Sequence, residues 1–202
     1  YSFDWMSGSD GFVFSSNYTE DWEYDFRNSE IYSISVNGSN LQQLTDRNGP
    51  DMGAAVSPDG KSIAYLGYED KVQTYQINNL TIMHIDGSNK RTINIDLDRN
   101  IESLKWSADG KNLYFMYDNY GNTKIATTNL TGRVRKLIDD VGGTSIGRPY
   151  GGGSFSVSSE GEISYTLTSP YHPADIGYYE GNSFKRLTNL NNCLLYTSDA
   201  AD

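Results

Sequence analysis

A ten-residue stretch, Val56-Ser57-Pro58-Asp59-Gly60-Lys61-Ser62-Ile63-Ala64-Tyr65, returns along the chain at a nearly constant interval. Pro58 presets φ for the second position of a type I turn, and Asp59-Gly60 suit the last two. After the turn, Ile63 and Tyr65 point to one face and Ser62 and Ala64 to the other, as in a strand. Trp106-Ser107-Ala108-Asp109-Gly110-Lys111-Asn112-Leu113-Tyr114-Phe115 repeats the unit without a gap, and Val157 to Tyr165 repeats it with one residue fewer. Trp5 to Phe14 keeps the same length, with its Asp10-Gly11 pair displaced along the turn. The closing aromatics stand at 14, 65, 115 and 165, so the steps are 51, 50 and 50 residues.

A second landmark follows each hairpin. Gly38, Gly87, Gly132 and Gly181 are trailed by Leu44, Ile93, Leu137 and Leu187. Two landmarks with one period define a repeat protein, and a period near 50 with four strands per unit predicts propeller blades. The fold class expected is therefore all-β: a β-propeller fragment of four four-stranded antiparallel blades, at about residues 1–45, 46–94, 99–140 and 154–190. In the first, Ile34 and Val36 share a face with Tyr32, expected to pack on neighbouring blades. Trp5 and Trp106 take equivalent places, where a large ring fills the wedge between blades.

The formal net charge of −10 argues against a nucleic-acid partner, because no basic stripe is present to neutralise phosphates. It argues equally against an anionic membrane surface, and no apolar run approaches the length of a membrane span. The single cysteine, Cys193, allows no intramolecular disulfide. With two histidines, His84 and His172, and no cysteine pair, neither a metal site nor a cofactor is expected. The sequons at Asn17, Asn37, Asn79 and Asn129 fit turn chemistry.

Three segments stand outside the repeat. An insertion from Asn17 to Asn28 alternates acids and aromatics: Glu20, Asp21, Trp22, Glu23, Tyr24, Asp25. It is either a solvated loop anchored by Trp22 or a set of carboxylates, Glu23 among them, that receives a substrate's amino terminus. Gly143-Thr144-Ser145-Ile146-Gly147 matches the nucleophile-elbow pattern, which requires a buried strand before it and a helix after. Pro149 and three glycines follow instead, and His172 and Asp175 come in the reverse of that fold's order. Ser145 is therefore not expected to be a nucleophile, and no catalytic residue is assigned. Arg148 and Tyr150 on the same glycine-rich loop are the polar candidates for touching a ligand, since glycine lets backbone approach closely. Residues 192–202 belong to no fifth unit and resemble the translated adapter read-through that ends reading frames assembled from environmental DNA.

The SPDG and WSxDG hairpins with the following D-G-S-N turn resemble the TolB-type, WD-like propeller repeat. Tyr68-Glu69-Asp70 through Gln76, Asn122 to Ile125, Gly143 to Ser154 and Pro170 to Asp175 are similar, in order, to the amino-terminal propeller of prolyl-oligopeptidase-family serine peptidases, in their acylaminoacyl-peptidase-like branch. That resemblance implies a propeller that gates short peptides or acyl-peptides into a carboxy-terminal α/β-hydrolase domain carrying Ser, Asp and His. No part of that domain, and hence no triad residue, lies in this chain, so the chain alone is expected to be inactive. The partners implied are short peptides, the missing hydrolase domain and missing blades. A periplasmic or secreted location is preferred to a cytoplasmic one. The rival expectation is a non-enzymatic TolB-like propeller that binds a partner protein or peptide.

Overall fold

The computed structural model describes residues 2–143, 152–169 and 172–190. Ser145, Arg148, Tyr150 and the 192–202 tail lie outside them. Among the described residues there is no helix, and the chain is built of antiparallel sheets. The first sheet runs β1 (Phe3–Trp5), β2 (Gly11–Ser16), β3 (Glu30–Ser35), β4 (Gln42–Gln43) in that order. The second runs β5 (Asp51–Val56), β6 (Ser62–Gly67), β7 (Asn79–His84), β8 (Arg91–Ile93).

The remaining strands form one eight-stranded sheet rather than two of four. β9 (Ile101–Trp106), β10 (Asn112–Asn119), β11 (Asn122–Asn129) and β12 (Val134–Val141) follow in order. β13 (Phe155–Val157), β14 (Ile163–Ser169), β15 (His172–Glu180) and β16 (Ser183–Arg186) follow likewise. A single pair, Val141 with Leu167, joins β12 to β14, and Gly142 N–H extends the join by donating to Thr166 O at 3.1 Å. The cause is length: β12 has eight residues where β4 has two and β8 three, so its end runs on beside β14.

Local chemistry builds the repeated turns. In the second repeat Gly60 N–H donates to Ser57 O at 2.8 Å, and Ser57 N–H closes the hairpin on Ser62 O at 2.8 Å. Gly60 has φ of 70°, the left-handed conformation that completes a type I turn with a glycine bulge. Ser57 Oγ donates to Asp59 Oδ1 at 2.6 Å and accepts from Ser62 N–H at 2.9 Å, while Asp59 Oδ1 accepts from Lys61 N–H at 3.1 Å. Ser107, Asp109, Lys111 and Asn112 reproduce all three bonds.

In the fourth repeat Ser158 N–H closes on Glu162 O instead, one residue sooner, so the place of Lys61 and Lys111 is the one deleted. The first repeat differs from expectation. Its turn is Met6-Ser7-Gly8-Ser9, with φ of 89° at Gly8 and 58° at Ser9. Gly11 is instead in β2, where a Cβ would come within 2.6 Å of Ile34 O.

By compactness the described chain divides into one unit of residues 2–115 with 128–134 and another of 116–127 with the residues from 135 on. In the first unit Val13, Ile31 and Leu44 meet Ala54, Ile63, Tyr65 and Met83 in a core between the first two sheets. Trp106 supports the same unit by donating its Nε1–H to Ala55 O at 3.0 Å. Of the apolar residues that trail the second landmark, Leu44 and Ile93 are buried, whereas in the third repeat Ile138 rather than Leu137 is buried and in the fourth Leu187 is exposed. The face of β3 that packs on the second sheet is that of Ile31, whereas Tyr32 and Ile34 face away from it and Val36 is exposed. Cross-strand register sets this parity: Ile31 pairs with Ser15 and Ser33 with Val13.

Candidate functional site

Two carboxylic acids open strands that are otherwise mostly apolar. Glu30 begins β3 and Asp51 begins β5, and they are only 6% and 1% exposed. Acids are rarely buried so deeply without partners. The link between the two sheets supplies them. Thr45 Oγ1 accepts from Ile31 N–H at 2.8 Å and donates to Glu30 Oε2 at 2.5 Å. The Arg47 guanidinium lies 3.3 Å from Asp51 Oδ1 and 6.0 Å from the centre of the Tyr65 ring. That contact is an ion pair: neither Asp51 oxygen receives a well-aligned hydrogen bond, which leaves its carboxylate poorly compensated. Gly67 makes room for it, since a Cβ there would come within 2.0 Å of Asp51 Oδ1.

Burial pushes the Glu30 carboxyl up to about 7, with the Thr45 hydrogen bond opposing and the charge of Asp51 adding to the rise. Burial likewise raises Asp51 to about 6, against the pull of Arg47. Arg47 thus serves the two acids differently, its guanidinium paired with Asp51 and its backbone amide bonded to Glu30, and the cluster retains proton occupancy near neutrality. Glu30 and Arg47 also line a cavity of about 400 Å³, together with Tyr18, Thr19, Tyr32 and Asp46. Asp46 is tied outward to Lys90 at 3.4 Å. The site offers a hydrogen-bonding carboxyl, a cation and two phenol rings at one mouth.

A larger groove of about 510 Å³ lies along the turns of the second and third repeats, with Asp59, Asp109, His84, Arg91 and Trp106 on its walls. Its polar groups serve their own turns. Hydrogen bonds from Ser57 and Ser107 hold Asp59 and Asp109 below the usual carboxylate range. His84 Nδ1 accepts from Asn89 Nδ2 at 3.0 Å, and Arg91 donates to Leu130 O at 3.1 Å. No cluster of three or more His, Cys, Asp or Glu residues suited to a metal is found among the described residues.

Glu23, the described member of the substrate-contact candidates, is exposed on the 17–28 insertion and does not line the 400 Å³ cavity; Tyr18, Thr19 and Asn28 reach it from that segment. The insertion is braced internally, with Asn17 Nδ2 donating to Asp25 O at 2.7 Å and Asn17 Oδ1 accepting from Thr19 N–H at 3.0 Å. In the second unit His172 Nδ1 and Asp175 Oδ2 stand 3.6 Å apart. Asp175 is also held by Arg186 Nε at 3.5 Å, Thr188 Oγ1 at 2.8 Å and Leu190 N–H at 2.9 Å. Burial works to raise this carboxyl, but the Leu190 and Thr188 hydrogen bonds and the charges of Arg186 and His172 outweigh it and hold it low. That is an anchor tying the residues that follow β16 to the first half of β15. The buried pair Glu30 and Asp51 was not singled out from the sequence; the signal available was an acid at the head of each strand with Arg47 four residues before Asp51.

No family model matches the chain. Dipeptidyl-peptidase 5 of Porphyromonas gingivalis is 24% identical over 138 residues, 67% of this chain and 20% of that protein. A probable dipeptidyl-peptidase 5 of Arthroderma benhamiae is 32% identical over 140 residues, 61% of this chain and 19% of that protein. The chain thus spans about a fifth of the length of these relatives. Among solved structures, TolB from Acinetobacter baumannii superposes with a TM-score of 0.69 at 19% identity, over 90% of this chain and 42% of its own. Acylaminoacyl peptidase from Pyrococcus horikoshii superposes with a TM-score of 0.68 at 20% identity, over 96% and 28%. The β-propeller domain of the Trilobed protease from Pyrococcus furiosus does so at 0.65 and 20%, over 94% and 52%. Similar over part of its length to dipeptidyl-peptidase 5, the chain has the fold of the TolB propellers and of the propeller domains of acylaminoacyl peptidase and other prolyl-oligopeptidase-family enzymes.

Proposed function

We propose that this chain is the substrate-gating propeller portion of a serine peptidase that hydrolyses short peptides or acyl-peptides, with its α/β-hydrolase domain elsewhere in a longer protein. Sequence likeness to dipeptidyl-peptidase 5 across two thirds of the chain carries this reading, because it goes beyond what a shared fold supports. Four four-stranded blades make up the portion, the last two joined at Val141 and Leu167. Glu23, Arg148 and Tyr150 contact substrate on its way to the hydrolase, and Ser145 takes no covalent part. A periplasmic or secreted location suits a peptidase that feeds on short peptides. The relatives' name makes dipeptide release the first activity to assay.

The test is to recover the DNA flanking the gene and express the joined protein. The expected result is a downstream G-x-S-x-G between strand and helix, then Asp, then His, and turnover of dipeptidyl or acyl-peptidyl chromogenic substrates. This chain alone should neither turn substrate over nor be labelled at Ser145 by a serine-reactive phosphonate. A natural stop with no hydrolase sequence would overturn the reading in favour of a peptide-binding propeller, for which the TolB superposition is the supporting observation.

A further inference from the structure

Strands β1, β5 and β9 open three successive repeats, and in the first unit β5 packs beside both of the others. Alignment on Trp5, Val56 and Trp106 puts Asp4, Ala55 and Lys105 at one place, and Ser2, Gly53 and Ser103 two residues before it. Between β1 and β5, side chains of the earlier strand cap backbone donors of the later one. Asp4 Oδ2 accepts from Val56 N–H at 2.8 Å, and Ser2 Oγ accepts from Gly53 N–H at 3.0 Å. Asp4 Oδ1 accepts in turn from Trp5 N–H at 3.0 Å.

Between β5 and β9 those caps are missing. Ala55 replaces Asp4 and Gly53 replaces Ser2, and neither side chain can accept a hydrogen bond. The backbone nevertheless repeats, with φ of 58° at Ser103 against 66° at Gly53. Ser107 N–H closes its hairpin on Asn112 O, so Trp106 N–H, one residue earlier, points away from β10. Among the described residues it meets no acceptor, whereas the Trp106 indole N–H is satisfied by Ala55 O at 3.0 Å. A cavity of about 240 Å³ opens along this edge, with Ala55, Ser103, Leu104, Lys105 and Trp106 on its walls. Asp4 also lines it, but both its oxygens are engaged by Trp5 and Val56.

We propose that this cavity binds the carboxylate of a small ligand, which takes at Trp106 N–H the place that the Asp4 carboxylate takes at Val56 N–H. A backbone N–H bonds more strongly to an ionised acceptor than to a neutral one, and Lys105 complements the charge. The first junction is thus a worked copy of the second, with the ligand's group built into the chain. A peptide's carboxy terminus and an acidic side chain both present this group, and the experiment separates them. The inference needs no peptidase activity and is read by binding alone.

Amide chemical shifts of the isotope-labelled full chain test it. The probes are N-acetylglycylglycine, N-acetylaspartate amide and, as the uncharged control, N-acetylglycylglycine amide. The expected result is a saturable downfield shift of the Trp106 amide proton, with Ser103 following, from a carboxylate probe and none from the control. A response to the first probe alone assigns a peptide carboxy terminus; a response to the second assigns an acidic side chain. Ala55→Asp supplies the carboxylate from within, so it should move the Trp106 amide downfield without ligand and weaken probe binding by about tenfold or more, about 1.4 kcal/mol. Lys105→Gln, at an exposed position, should weaken binding by about two- to fivefold while Lys105→Arg retains it, which keeps the test decisive if Ala55→Asp does not fold. No shift at Trp106 with either carboxylate, an equal shift with the uncharged control, or binding undiminished in both Ala55→Asp and Lys105→Gln would each overturn the proposal.

Discussion

Replacing Glu30 by glutamine should flatten the pH dependence of stability. The Glu30 carboxyl rises from an ordinary 4.5 to about 7 on folding, chiefly through burial. Between those values the folded chain holds more protons than the unfolded chain, so unfolding free energy falls as pH rises. Full stability is present below about pH 4.5 and is lost as pH passes through about 7. At about 1.36 kcal/mol per unit, the shift corresponds to roughly 3 kcal/mol of stability lost by pH 8. Because Asp51 titrates in the same cluster, about 2 kcal/mol is the smallest loss expected for Glu30 alone. Glutamine keeps an oxygen to accept from Thr45 Oγ1 and carries no charge, at a pH-independent cost of about 1 kcal/mol for its buried NH2. Urea unfolding followed by tryptophan fluorescence at steps from pH 5 to 8 reads the effect. The wild-type midpoint should fall relative to Glu30→Gln across that range, with unchanged m-values. Parallel curves for the two proteins would refute the reasoning, since they would mean that Glu30 ionises freely.

Two further outcomes follow from contacts already described. Gly67→Ala should destabilise by about 1–3 kcal/mol or more in urea unfolding, because its Cβ would run into both the Asp51 carboxylate and the Pro50 carbonyl oxygen. The loss should shrink in Gly67→Ala combined with Asp51→Ala. Asp175→Asn should destabilise β15 and β16, read as faster hydrogen exchange at the Leu187 and Leu190 amides. Since the Asp175 carboxyl is held low, its contribution is present above the ordinary carboxylate range and fades as pH falls through the lowered value, so the variant should converge with wild type in acid.

The parts of the fold that were legible in the sequence are those decided within a few residues. Ser57, Asp59 and Gly60 specify their turn by bonds that close inside one hairpin, and Ser107, Asp109 and Gly110 do the same. The Tyr120-Gly121 turn, with φ of 53° and 79°, is equally local. What could not be read depends on partners far along the chain. The parity that turns Tyr32 away from the second sheet is set by its pairing with Phe14, and the fusion of the last two sheets by where the end of β12 meets Leu167. The burial of Glu30 and Asp51 is likewise tertiary: an acid at a strand end is ordinarily solvated, and only the Thr45–Arg47 link brings these two under cover. Gly11 misled for a related reason. A glycine demanded by close packing against Ile34 looks, in one dimension, like a glycine demanded by a turn.

The matched turns at Ser57–Ser62 and Ser107–Asn112 also bear on how the chain finds its fold. Each closes a loop of a few residues, so its hairpin forms on the microsecond scale, long before sheets meet. Two hairpins with the same hydrogen-bond wiring, 50 residues apart, are also decoys for one another, because a strand from one fits the other's partner almost equally well. Repeat chains misassemble by this kind of exchange. Local closure wins that contest kinetically, and the shortened turn at Ser158–Glu162 and the shifted one at Met6–Gly11 give the outer two hairpins distinct registers of their own. The irregular repeats thus act as address labels, telling otherwise interchangeable strands which partner is theirs.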